Sequence, residues 1–473
     1  MLHLVLFAQA IASGPAPAEA APVPVAEEEA VSRDPQGIPV AIVDVMEPAR
    51  QDLDLQRALV QAYETNPTLL ADREGLKVLD NDVATARSAG RPNLAAEASL
   101  TRSEIDVRGT GYVTGLRLQQ PLFRGGRIKN NIRSAETNVL AGRESLRRSE
   151  IDILASVVEA YSGVLRDREV LLLRYELIRD LEAIAQGQQD LVDAQEGLYT
   201  DVARARARVE DAHAAARQAE LALRTSELAL AQVAGVYPGR LTQLPPLPPL
   251  PTDVEEAVAH AIEFGPEVSQ ARYAHQIAEF QRKVVEANRL PTMDFNGSVQ
   301  RRNEVVQFLG REFNQTLGTF VVTLSVPIYQ GGAEYAAIRR AKNVADVREL
   351  EILEAERQVE FDTRVAWSRL ARSIGSYQAL QQSAAENLAS LSGLRRILQV
   401  SGGTILPVLD AKNEYTAAQI GSVRQRHEAY VAGVALLATM GALTPEVLGL
   451  DVEPYDPSEH YDRVARKWIG TEP

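Results

Sequence analysis

Residues able to do chemistry are sparse and scattered in this chain. There is no cysteine, which excludes thiol nucleophiles, thiolate metal sites, disulfides and a lipid anchor on an N-terminal cysteine. The six histidines (His3, His213, His260, His275, His427 and His460) show no pairing at metal-ligand spacing, and each reads as a surface or packing residue. Gly109-Thr110-Gly111-(x3)-Gly115 carries its last glycine too late for a dinucleotide fingerprint, and no helix pattern follows it. It reads as a hairpin turn between strands. No P-loop, nucleophile elbow or zinc-binding histidine pair occurs. The many carboxylates fall on helix-patterned segments, where they solvate a surface. The reading is a protein that is not an enzyme and needs no cofactor.

Any function must then come from how the chain is built. Its 473 residues are 45% hydrophobic but only 5% aromatic, and alanine is abundant. That mix suits long, closely packed helices better than a globular enzyme core. A net charge of −14 argues against nucleic acid, which demands a basic surface. Residues 1–20 read as a signal peptide: Leu2 to Ile11 form a short, mainly apolar run, and Ala10-Ile11-Ala12 and Ala18-Glu19-Ala20 offer small-x-small cleavage sites, although no Lys or Arg precedes them. Residues 21–50, rich in Ala, Pro and Glu, read as disordered. No later apolar run reaches the ~20 residues of a transmembrane helix, so membrane entry would require a β-barrel.

The rest is one pattern written twice. Ala58-(x3)-Ala62-x-Glu64-(x2)-Pro67 recurs as Ala257-(x3)-Ala261-x-Glu263-(x2)-Pro266, an offset of 266 − 67 = 199. Pro92 and Pro291 keep that offset. Pro121-Leu122-Phe123-Arg124-Gly125-Gly126 matches Pro327-Ile328-Tyr329-Gln330-Gly331-Gly332 at 327 − 121 = 206, and Gly197/Gly403, Val202/Val408 and Gly235/Gly441 stay there. The repeats occupy residues 51–243 and 252–443. A proline-rich linker, residues 244–251, joins them in an extended polyproline conformation. Residues 444–473 form a tail outside the repeats that carries Tyr461 and Trp468.

Each repeat changes period. A helix begins at Pro67, with Asn66 as its cap, and another at Pro266; they end near Pro92 and Pro291. Alternation of period two follows. Leu94, Ala96, Ala98 and Leu100 share one face, and Met293, Phe295 and Val299 do so in the second repeat. The return strands carry Leu116, Leu118 and Leu122, then Val322, Leu324, Val326 and Ile328. Such segments fit membrane barrel strands and half-buried soluble strands equally. Beyond the glycine pairs the period is helical. Ile153, Val157, Ala160 and Val164 form one stripe, with Leu154, Val158, Tyr161 and Leu165 beside it, as in the wall of a tube. No proline interrupts Arg127 to Tyr237 or Ala333 to Leu406, so long helical hairpins turning near Gly197 and Ser401-Gly402-Gly403 are expected.

Four strands cannot close a membrane barrel, and an open edge cannot face lipid. Copies must associate; two or three would satisfy the strand count. The ordered repeats, the strand exits Pro-Leu-Phe-Arg-Gly-Gly and Pro-Ile-Tyr-Gln-Gly-Gly, and Pro407-Val408-Leu409-Asp410-Ala411 together resemble the TolC family of outer-membrane efflux and secretion proteins from about Leu53 to Gly441.

The resemblance implies a mainly α protomer with a β-hairpin pair, a tandem repeat that builds a homotrimeric α-barrel and a 12-stranded transmembrane β-barrel. It further implies a site in the outer membrane of a Gram-negative bacterium, in contact with lipid, with a long periplasmic extension. The partners implied are a periplasmic adaptor and an inner-membrane ABC or proton-driven pump, in type I secretion or multidrug efflux. Residue by residue, Asp410 matches an acidic position at the family's periplasmic entrance, Pro407 stands where a second acid is usual, and Thr200 and Asp201 match a polar latch segment. The usual latch partners are replaced by Leu398 and Gly403, which turns attention to Arg395 and Arg396. Three carboxylates at a narrow lumen would repel one another and attract cations. Asp410 could instead cap a helix start. Two other functions fit the pattern: a soluble coiled-coil scaffold or tether, and an uptake pore, for which no plug segment is visible.

Overall fold

The computed structural model describes residues 50–103, 109–306, 311–401 and 404–472. The expected signal peptide lies outside them, as do Gly402-Gly403 and all but the last residue of the Ala/Pro/Glu-rich segment. That last residue, Arg50, opens strand β1.

In the first repeat, β1 (Arg50–Leu53) leads into α1 (Leu55–Thr65) and α2 (Pro67–Ser88). The Asp54 carboxylate accepts from the backbone of Arg57 at 2.7 Å and caps α1. The Asn66 side chain accepts from Thr68 at 3.0 Å and Leu69 at 3.4 Å, capping α2 with Pro67 in its first turn. Strands β2 (Asn93–Ser103) and β3 (Gly109–Phe123) follow, then α3 (Arg127–Asp193), α4 (Tyr199–Ala234) and β4 (Tyr237–Leu241). The second repeat runs α5 (Val254–Phe264), α6 (Pro266–Glu286), β5 (Thr292–Val306), β6 (Arg311–Ser325), α7 (Ala333–Ser401) and α8 (Leu406–Thr439); α9 (Glu459–Val464) lies in the tail. The single helix expected ahead of each hairpin is thus two, broken at Pro67 and Pro266. Among the described residues no helix is long and apolar enough to cross a membrane.

The 67 residues of α3 span about 100 Å at 1.5 Å per residue. It packs against α2, α4, α6 and α8, while α7 packs against α6 and α8. Each long helix therefore runs beside pairs of shorter ones, as staves in a wall. Both expected stripes of α3 lie in one core: Leu154, Val157, Val158, Tyr161 and Val164 are buried, with Ile153, Ala160 and Leu165 packed against them. The Tyr161 hydroxyl reaches the backbone oxygens of Thr242 at 2.9 Å and Leu53 at 3.2 Å. It ties α3 to β1 and β4, a short parallel pair that the residue pattern does not announce. Leu244, Leu247 and Leu250 of the proline-rich segment pack on the same core. Their spacing of three places them on one side of a polyproline helix, which has three residues per turn.

At the opposite end of the staves, β2, β3, β5 and β6 form an antiparallel sheet in the order β2-β3-β5-β6. Its register places Leu94 against Leu118, Leu116 against Val299 and Phe295 against Val322, so apolar residues gather on one face. Val326 and Ile328, expected in the last strand, lie beyond Ser325, where β6 ends ahead of Pro327. Gly109, Gly111 and Gly115, expected in a turn, lie within β3. Gly115 is needed there because a Cβ would stand 2.7 Å from the Val299 oxygen on the adjacent strand. Where strand gives way to helix, Gly125 and Gly126 take φ of +60° and +84°, and Gly331 and Gly332 repeat this at +70° and +83°. A side chain would be strained at each.

Candidate functional site at the helical hairpin ends

The two helical hairpins end side by side, far from the sheet. Leu177, Ile178, Leu181 and Ala185 of α3 pack with Ala205 and Ala212 of α4, Leu391 of α7, Val408 and Leu409 of α8, and Ile405 just ahead of α8. Alanines in α4 let the staves approach closely. The first hairpin turns between Asp193 and Tyr199, where Gln195 adopts φ of 64° and Gly197 passes against Leu191.

Asp410 lies on the second turn of α8, half exposed, and accepts from the guanidinium of Arg208 on α4 at 3.1 Å. It caps no backbone group: the N-cap of α8 is Ile405, with no side-chain cap bond, and Thr404 accepts from the amide of Leu406. Lys412, almost buried, pairs with Asp180 of α3. Two ion pairs therefore cross from the α3–α4 hairpin to α8.

Asp201 is buried in the first turn of α4, a favourable place for a carboxylate, with Arg204 3.9 Å away. Thr200 and Pro407 are exposed. No hydrogen bond or salt bridge joins Thr200 or Asp201 to the second hairpin among the described residues, nor do Arg395 and Arg396 form ion pairs there. Leu398 packs against the shared core.

Neither Arg208 nor Lys412 stands out in the sequence, although the repeat offset carries a signal for Arg208. Adding 206 to Arg204 gives Asp410, and adding it to Arg208 gives Glu414. At these two positions the hairpins carry opposite charges, whereas Arg206/Lys412 and Asp180/Glu386 keep the same sign, so the offset marks the Arg208–Asp410 pair and not Lys412–Asp180.

The sheet is the second functional surface. Leu94, Leu116, Val299, Phe320 and Val322 are all about half or more exposed on its apolar face, and the outer edges of β2 and β6 are unpaired in the protomer. Strands of 11 to 15 residues are long enough to cross a bilayer tilted. Among the described residues, no cluster of His, Asp or Glu could hold a metal.

The profile of the outer membrane efflux protein family matches residues 58–236 and 258–442, one match for each repeat. The chain is 34% identical over 420 residues to the outer membrane efflux protein BepC of Brucella suis, covering 88% of this chain and 91% of BepC. It is 24% identical over 382 residues to the alkaline protease secretion protein AprF of Pseudomonas aeruginosa, covering 76% and 78% of the two. Its fold superposes on the open-state MtrE outer membrane channel of Neisseria gonorrhoeae with a TM-score of 0.71 at 20% identity, over 82% of this chain and 89% of MtrE. The four-stranded sheet is accordingly one third of a 12-stranded barrel, and the staves are one third of a helical tube. The protein is an outer-membrane channel for efflux or secretion in a Gram-negative bacterium, and it belongs to the outer membrane efflux protein family.

Proposed function

We propose that this channel is the outer-membrane part of a tripartite export system and catalyses no reaction. A periplasmic adaptor joins its helical end to an inner-membrane ABC or proton-driven pump, and cargo passes from pump to exterior without crossing the periplasm. The observation that carries this reading is the pair of hairpins, with helices of 67 and 69 residues, held together at the end remote from the sheet. A channel serving only the outer membrane has no need of such length. The names of BepC and AprF support efflux and protease secretion respectively as the kind of cargo route.

In this reading the hairpin ends form the entrance, with Asp410 and Asp201 near its rim and Thr200 and Pro407 exposed beside them. The Arg208–Asp410 and Lys412–Asp180 pairs hold α8 against the first hairpin and keep the entrance narrow. They take the part for which the resemblance pointed to other residues. A chromosomal deletion tests the system. Loss of the protein should sensitise cells to several unrelated toxic compounds, or abolish release of one secreted protein, and the channel should cross-link through residues near 195–201 to an adaptor. A deletion strain unchanged in both exports, with no cross-linked adaptor, would sink the reading. A soluble scaffold is disfavoured by the exposed apolar sheet face.

A further inference from the structure

About half-way along α3, a cleft of about 740 Å³ opens between α3, α7 and α8. It lies on the side of α3 away from the core. Leu154, Val158 and Tyr161 face that core, and at about 100° per residue Glu159, Gly163 and Arg166 point roughly the opposite way. The channel reading puts this side, opposite the packed core, toward the lumen.

The cleft holds four arginines in a chain of net charge −14. Two are committed. Arg166 grips Asp167 through two hydrogen bonds of 2.7 Å, and Arg369 donates to Glu428 at 2.6 Å. Burial pushes the Asp167 carboxyl up, but bonds from Arg166 and Ser226 outweigh it and keep the group ionised and satisfied. Arg372 and Arg424 form no salt bridge among the described residues, against a single lining carboxylate, Glu159, in the same condition. Cationic crowding continues past the cleft: burial, then Arg424, pulls the Arg174 guanidinium down.

A buried histidine adjoins the same cleft. His427 lines the cleft and is only 6% exposed. Its Nδ1 is hydrogen-bonded to the Ser162 hydroxyl at 2.9 Å, while its buried Nε2 has no hydrogen-bond partner and lies 3.9 Å from the Glu169 carboxylate. A buried polar atom left unpaired is costly unless something completes it.

We propose that this cleft binds an oxyanion, a carboxylate or phosphate group held by Arg372 and Arg424, as a station on the lumen wall of the duct. Guanidinium forks suit such groups because their donors match two oxygens at once. The lumen placement rests on the channel reading; binding itself does not.

The test is phosphorus NMR titration of the detergent-solubilised trimer with inorganic phosphate and with phenyl phosphate. Saturable binding is expected, weakened about tenfold or more in Arg372→Gln and Arg424→Gln, with Arg424→Lys intermediate because it keeps the charge but loses the fork. Stronger binding of the ester would identify a group on an organic cargo, and stronger binding of the free ion a bound counter-ion; either supports the site. Absence of saturable binding, or binding unchanged in both glutamine variants, overturns it. Bilayer conductance of the same variants separates failure of the site from failure of the channel, because neither arginine lies at the entrance.

Discussion

Neutralising Asp410 distinguishes two physical pictures of the entrance by the sign of the effect. In the protomer its carboxylate and Arg208 are 3.1 Å apart, with side chains 46% and 40% exposed. A pair so wet contributes about 0.2–1 kcal/mol. Three copies per trimer then favour the narrow entrance by about 0.6–3 kcal/mol, which is about 3- to 150-fold in the open-to-closed ratio. If three Asp410 carboxylates instead repel one another across the lumen, Asp410→Asn relieves that repulsion and favours closure. The assay is single-trimer recording in planar bilayers at low voltage. The cross-hairpin pair predicts a higher open fraction in Asp410→Asn and in Arg208→Gln, with the double variant no higher than either. A lower open fraction in Asp410→Asn, or additive effects in the double variant, would refute the latch.

Three further expectations concern the body of the protein. Tyr161→Phe leaves the carbonyl oxygens of Leu53 and Thr242 without the hydroxyl they share, and should cost about 1–3 kcal/mol; Tyr161→Ala, which also opens a cavity, should cost about 3–5 kcal/mol, both read from denaturant unfolding of the trimer. Gly115→Val puts a side chain against the Val299 oxygen and should reduce the trimer recovered from outer membranes, whereas Thr114→Val on the same strand should not. Burial, reinforced by Arg426 and Arg166, holds the His427 imidazole down at about 4 from its ordinary 6.5. The unfolded chain therefore takes up the proton first as pH falls, so this stabilisation is complete above pH 6.5 and lost progressively towards pH 4. Thermal unfolding of His427→Asn should depend less steeply on pH across that window than the parent; equal slopes would remove His427 as the cause.

The repeat made the fold legible because the same physical switches recur in both halves. Proline opens each inner helix, alternation marks each hairpin, and a left-handed glycine pair returns the chain to helix. What escaped has identifiable reasons. The pair β1–β4 joins segments of four and five residues far apart in the chain, too short to show alternation. Val326 and Ile328 continue an alternating pattern past the end of pairing, because alternation records which side a residue faces and says nothing of whether a neighbouring strand is present. Gly115 reads as a turn residue in sequence because a glycine serving close strand approach looks, in one dimension, like a turn glycine.

The entrance was the least legible part, and its geometry explains why. Asp410 drew attention only through resemblance; nothing in its neighbours along α8 names Arg208, which sits 202 residues earlier on another hairpin. A pair across two hairpins has no local period to betray it. The repeat supplies a substitute for that missing period. Once the offset of 206 is known, residues can be compared between hairpins, and Arg204 against Asp410 and Arg208 against Glu414 emerge as inversions of charge in one structural frame. At these two positions identical hairpins would present like charges to each other; inverting the sign in one makes the Arg208–Asp410 contact attractive. The same logic extends to the whole molecule. A protomer with two unpaired strand edges and an exposed apolar sheet is an incomplete object, and its channel exists only where three copies complete the wall.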